Sequence, residues 1–131
     1  GIYVIYDKMK FLDSLYSVTQ FRKTEGGFEF DISLFPGHFI YKAHFPGEPI
    51  TPGVCIIQIA TELFSLAMDA PMNLYSAKNV KFLKIVSPSE RTDFSFTFSK
   101  IVVEGDLFKF ACNLSAENEI YAKLSLICRK K

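Results

Sequence analysis

The stretch His44-Phe45-Pro46-Gly47-Glu48-Pro49-Ile50-Thr51-Pro52-Gly53-Val54 places a histidine on a proline-stiffened loop and leads straight into a long apolar run. Proline suits the first helical position, and glycine lets another group approach the backbone closely. The first N–H groups of a helix have no partner inside it, and about half a positive charge gathers there. An imidazole upstream of such a helix start is an acid–base arrangement, with amides that can hold a carbonyl or an oxyanion. A proline-rich turn with a surface histidine is the plainer reading of the same spacing.

From Gly53 to about Met68 the pattern is helical and apolar on most of its circumference, through Val54, Ile56, Ile57, Ile59, Ala60, Leu63, Phe64, Ala67 and Met68. A helix of this kind is buried. Gln58, Thr61, Glu62 and Ser65 interrupt it at a spacing that puts them on one stripe. That stripe faces either water or a site.

Outward from the helix the chain reads as strands. Asp7 to Ser14 is predicted as a short helix, with Phe11, Leu12 and Leu15 on one face, and strand character runs from Leu15 to Lys23. Glu25-Gly26-Gly27 signals a hairpin that needs positive φ. Phe28, Phe30, Ile32 and Leu34 then alternate with polar residues until Pro36-Gly37. After the helix, Ala77 to Val86 is predicted as a strand. Three more follow around Phe94-Phe96-Phe98, Phe108-Phe110-Cys112-Leu114 and Ile120-Ala122-Leu124-Leu126-Cys128, with turns at Glu104-Gly105-Asp106 and Glu117-Asn118-Glu119. Two strands, a buried helix and four strands make an α+β domain.

The run His44 to Ile57, His-Phe-Pro-Gly-Glu-Pro-Ile-Thr-Pro-Gly-Val-Cys-Ile-Ile, resembles without a gap the signature of the hotdog-fold 3-hydroxyacyl-[acyl-carrier-protein] dehydratases of the FabZ type. Pro36 to Ala43 resembles the family's lead-in, and Asn79 to Pro88 its strand after the central helix. The resemblance implies a hotdog fold, an antiparallel sheet wrapped around one long buried central helix. Residues 1–131 then form a single hotdog domain, with about residues 1–9 as a loose N-terminal extension. It also implies elimination of water from a 3-hydroxyacyl thioester of an acyl carrier protein or coenzyme A, in fatty-acid or polyketide-type synthesis. His44 would be the general base at C2. The amides of Gly53 and Val54 would polarise the carbonyl, and Phe45 and Pro52 would join the substrate-binding set. In the family a helix carboxylate protonates the departing hydroxyl, and histidine and carboxylate come from different subunits of a homodimer, alone or within a larger dimer-based assembly.

Gln58 stands where the family carries that carboxylate, and Glu62 lies one turn later, where the family often has Gln. A glutamine amide can hydrogen-bond a hydroxyl but delivers no proton at pH 7. One turn moves the carboxylate by about 6 Å, too far for an unchanged substrate pose. Three functions therefore stand open. They are a dehydratase using His44 with Gln58 and water or with Glu62, a hotdog thioesterase in which Glu62 activates water, and a non-catalytic acyl-binding or partner subunit.

The remaining features narrow the field. With 131 residues, 49% of them hydrophobic and 22% charged, the chain can bury a substantial core. A net charge of +1 gives no global basic field for nucleic acid. The 14 Phe residues either fill a core or line an acyl tunnel. Cys55, Cys112 and Cys128 have no paired or metal-type spacing and read as reduced packing residues of a cytoplasmic protein. No apolar run approaches the roughly 20 residues that span a bilayer. Residues 1–8 lack the pattern of a signal peptide. His38 and His44 are the only histidines, and no carboxylate sits at ligand spacing with them, so no metal and no cofactor are expected. His38 reads as a structural loop residue bonded to backbone. Lys42, Lys78, Lys81 and Lys84 are either ordinary surface lysines or contacts for an anionic carrier, with Lys78 and Lys84 on one face of their strand.

Overall fold

The alternation of apolar and polar residues from Phe28 to Leu34 becomes a strand whose Phe28, Phe30, Ile32 and Leu34 are buried. The computed structural model describes residues 9–43 and 47–131. Its strands β1 (Tyr16–Lys23), β2 (Phe28–Leu34), β3 (Met72–Phe82), β4 (Asp93–Glu104), β5 (Leu107–Ala116) and β6 (Glu119–Lys130) form one antiparallel sheet in the order β1-β2-β4-β5-β6-β3. Between β2 and β3 come a short helix, α1 (Ile40–Ala43), and the long helix α2 (Gly53–Met68). This is the α+β hotdog architecture.

Register builds the core. Phe28, Phe30 and Ile32 sit opposite Phe98, Phe96 and Phe94 of β4, and Phe96 and Phe98 sit opposite Leu114 and Cys112 of β5. Cross-strand aromatic pairs of this kind stabilise a sheet beyond the area that they bury. Ile56, Ile59, Ala60, Leu63 and Phe64 of α2 complete the same core, with the Phe64 ring stacked 4.0 Å from that of Phe110. Phe28, Phe30, Phe64, Phe94, Phe96, Phe98 and Phe110 therefore pack the space between helix and sheet. Cys55, Cys112 and Cys128 are free and buried, and burial pushes the Cys128 thiol up to about 12. On the opposite face Arg22 grips Asp31 at 2.8 and 2.9 Å and pairs with Glu29, holding the Asp31 carboxyl below its ordinary range. Among the described residues no helix is long and apolar enough to cross a membrane.

Four local expectations are corrected. Gly26 and Gly27 do not take positive φ. Gly27 is needed instead for close approach, because a Cβ there would lie 2.1 Å from the Phe98 carbonyl oxygen. The described part of the predicted 7–14 helix, from Met9 on, holds no helical residue and is bend and turn around a bridge from Leu12 to Tyr16. Asp13 has φ 65°, and the N–H groups of Lys10, Phe11 and Leu12 point to a side-chain acceptor. The predicted strand Ala77 to Val86 runs instead over Met72–Phe82. Its ladder with β6 ends at Phe82↔Ala122, and the N–H groups of Leu83 and Lys84 both bond to the Tyr121 carbonyl. Lys84 thus lies beyond the strand, paired with Glu119, and does not share a strand face with Lys78. Finally, the short helix α1 forms within Pro36 to Ala43, where the sequence reading names no element.

Candidate active site

The helix start is held from both sides. Thr51, 4% exposed, donates its N–H to the Val86 carbonyl at 2.8 Å, and its hydroxyl meets the Tyr41 hydroxyl at 2.9 Å. Tyr41 in α1 and Thr51 before α2 therefore pin the two ends of the loop that carries His44. His44 and Phe45 themselves lie outside the described residues. His38 lies earlier in the same connection, where its Nδ1 accepts the Ile40 N–H at 3.1 Å. It is the backbone-bonded loop residue that the sequence suggests.

Pro52 caps α2 with extended backbone and no side-chain hydrogen bond. The Pro52 carbonyl accepts from Cys55 and Ile56, and the amides of Gly53 and Val54 have no hydrogen-bond partner among the described residues. Gly53 lines a groove of about 370 Å³ together with Ile50, Pro52, Ile56, Phe82 and Ile85, among others, and Val54 follows it in the first turn. A Cβ on Gly53 would lie 2.6 Å from the Phe82 ring, so glycine is what lets that ring lie against the helix start. Beneath the groove, sharing Thr51, Ile56 and Val86 with it, is an apolar void of about 10 Å³. That is too small for an acyl chain as it stands.

The polar stripe of α2 is buried. Thr61, Glu62 and Ser65 are 4%, 2% and 3% exposed, which excludes a water-facing stripe. Thr61 and Ser65 bond back to the Ile57 and Thr61 carbonyls. Glu62 receives five donors. Its Oε1 accepts from Leu12 N–H and the Tyr16 hydroxyl, and its Oε2 from Lys10 N–H, Phe11 N–H and Gln58 Nε2, all at 2.8–3.1 Å. An ionised carboxylate offers about four lone-pair sites, so none is left over for a water or a substrate. Gln58 and Glu62 line a cavity of about 180 Å³ with Met9, Lys10, Asn73 and Lys131.

Gly53 and Gln58 therefore line different cavities. They lie about 7.5 Å apart along the axis and about 140° apart around it. Within one chain the structure brings Pro52 and Gly53 together at the groove, and Gln58 and Glu62 together at the cavity. It does not bring the two pairs together.

The model of the ApeI-like family, described as ApeI dehydratase, matches residues 20–125, from β1 into β6. The chain belongs to this family. Among curated relatives of the ApeI-like chain, a 3-hydroxyacyl-[acyl-carrier-protein] dehydratase FabZ of Syntrophobacter fumaroxidans is 30% identical over 95 residues, covering 66% of this chain and 63% of the relative. A FabZ of Wolbachia pipientis is 28% identical over 90 residues, covering 63% and 62%. The chain thus spans about three fifths of the length of these curated relatives. Among solved structures, the dehydratase heterocomplex ApeI:P from Xenorhabdus doucetiae matches with a TM-score of 0.66 at 17% identity, covering 86% of this chain and 96% of that one. A putative thioesterase yhdA from Lactococcus lactis matches with a TM-score of 0.66 at 12% identity, covering 93% and 97%. At these identities the structural likeness establishes the hotdog fold.

Several residues around the groove and the cavity escape sequence reading. The i, i+4 spacing of Gln58 and Glu62 could have signalled their mutual bond. The other donors to Glu62 are backbone groups some 50 positions away, which carry no residue signature. Neither the Tyr41–Thr51 contact nor the Phe82 ring over Gly53 has a local pattern to announce it.

Proposed function

We propose that this chain handles a 3-hydroxyacyl thioester, on an acyl carrier protein or coenzyme A, as a dehydratase whose site forms between two protomers. The observation that carries this reading is the separation of the candidate residues. Gly53, with its bare amide, lines a groove on one side of α2, while Gln58 lines a cavity on another. One protomer would supply the helix start and the His44 loop, and the second would supply Gln58. Val54, Leu83 and Ile85, which are 75%, 53% and 62% exposed around the groove, give the second protomer an apolar surface to cover.

In such a site the Gly53 and Val54 amides polarise the thioester carbonyl and take up the charge that develops on its oxygen. His44 removes the C2 proton, as an imidazole can at neutral pH. The C3–O bond then breaks as the C2=C3 double bond forms. The departing hydroxyl takes its proton back from the His44 imidazolium, directly or relayed through a water held by Gln58. Glu62 is already surrounded by donors, which argues against its activating water or protonating a leaving group.

A second reading is favoured by the lack of a free carboxylate at Gln58. The chain would then be the non-catalytic half of an assembly with a different hotdog chain. A single-turnover assay with 3-hydroxyacyl and saturated acyl thioesters tests both. Enoyl thioester from the first substrate supports the dehydratase, and free thiol from the second points to hydrolysis. Turnover of neither, with stable binding to a distinct hotdog subunit, supports the partner role.

A further inference from the structure

Gln58 Nε2 donates to Glu62 Oε2 at 2.8 Å. A carboxylate with five donors around it presents no proton of its own, so only the nitrogen end of the Gln58 amide can face it. The amide oxygen is then the end left to the cavity, and among the described residues it accepts no hydrogen bond. Rotating the amide would set Oε1 against Oε2 of a carboxylate that is itself 2% exposed, so the orientation is locked. Glu62 cannot swing away to relax this lock, because three backbone N–H groups and the Tyr16 hydroxyl hold it from the other side.

We infer that Glu62 is a positioning residue that fixes Gln58 as a hydrogen-bond acceptor, and that Gln58 thereby selects ligands bearing a hydroxyl donor at C3. The inference rests on the thioester reading above and adds a selection rule to it. A 3-hydroxyacyl group offers an O–H to the amide oxygen. A saturated acyl group offers nothing. A 3-oxoacyl group brings a second acceptor, which meets the Gln58 oxygen unfavourably. A carboxylic acid at position 58 would impose no such order, since its protonated form can donate to a ketone as well as to a hydroxyl.

The test is calorimetric titration with unreactive pantetheine amides of equal acyl length, carrying a 3-hydroxy, a saturated or a 3-oxo chain. The wild-type protein should bind the 3-hydroxy amide about five-fold more tightly than the saturated one, the worth of one neutral hydrogen bond. The 3-oxo amide should bind no better than the saturated one. Gln58→Leu should bring the hydroxy-to-saturated ratio close to one. Glu62→Gln, which can both donate to and accept from its neighbour, should let the 3-oxo amide gain relative to the saturated one. A purely structural role for Glu62 would lower all three affinities together and leave their ratios alone. Equal binding of all three amides to the wild type, or a 3-oxo amide as tight as the 3-hydroxy one, overturns the inference and leaves the thioester reading standing. Binding of none overturns both. The wild-type series decides the matter even if a variant fails to fold.

Discussion

The groove at the start of α2 and the cavity at its middle differ in what satisfies their polar groups. At the groove the Gly53 and Val54 amides are left open, the walls are largely apolar, and a ligand would complete the hydrogen bonding. At the cavity Glu62 is completed by the chain itself, and only one end of the Gln58 amide is left over. Open donors beside apolar walls suit chemistry on a carbonyl. A filled carboxylate suits architecture, since it ties residues 10–12 and Tyr16 to the helix. The same helix thus carries open donors at its start and a filled carboxylate at its middle.

Substitutions on the two sides should separate along that line. His44→Ala should lower turnover of a 3-hydroxyacyl thioester by about 10²–10⁴-fold, the usual worth of a positioned acid–base group. The urea midpoint should stay where it was, and activity that survives would remove the groove from the mechanism. Glu62→Leu should do the reverse in kind, costing about 3 kcal/mol through donors left without an acceptor. Urea denaturation would read that loss, and amide exchange at Lys10 to Leu12 would quicken.

The glycines sharpen the contrast between rigid and yielding surroundings. Gly27→Ala would drive its Cβ against the Phe98 carbonyl, which belongs to the sheet and cannot move alone, at a cost of about 2–3 kcal/mol. Gly53→Ala meets only the half-exposed Phe82 ring, which can swing outward, so thermal stability should fall by about 1 kcal/mol or less. Its larger effect should be on ligand binding, because the displaced ring narrows the groove. Equal destabilisation by the two substitutions would contradict this picture of the helix start.

The smallest effect concerns pH. Burial lowers the His38 pKa from its ordinary 6.5, and Nδ1 can accept the Ile40 N–H only while the ring is neutral there. The unfolded chain takes up that proton at higher pH than the folded one, so this contribution is complete above about 6.5 and is lost as pH falls through the folded value. The urea midpoint should therefore drop slightly from pH 7.5 to 5.5. His38→Asn, which keeps an acceptor but does not titrate, should drop less.

Much of this architecture is legible in the sequence because it rests on periodicity. The Phe28–Leu34 alternation and the apolar run from Gly53 to Met68 each specify an element and the face that it buries. The helix start is legible through Pro52-Gly53. What is not legible depends on backbone groups or on distant contacts. Lys10 to Leu12 fail to form the predicted helix because their N–H groups serve Glu62, about 50 positions away. β3 starts earlier than its composition suggests because pairing with β6, and not local preference, sets its ends. The stripe from Gln58 to Ser65 was equally compatible with water or a site, and only the N-terminal segment packed over it decides.

The most direct test of the account is the dehydration rate of Gln58→Glu as a function of pH. The substitution puts a second carboxylate where Nε2 now lies 2.8 Å from Glu62 Oε2. Two such groups cannot both ionise, so the pair must share a proton, and position 58 gains the acid that it lacks. The account predicts a rise in turnover of a 3-hydroxyacyl thioester by at least about 10²-fold, lost at alkaline pH as the shared proton leaves. A folded Gln58→Glu protein that binds the substrate and turns over no faster than wild type at any pH would contradict it.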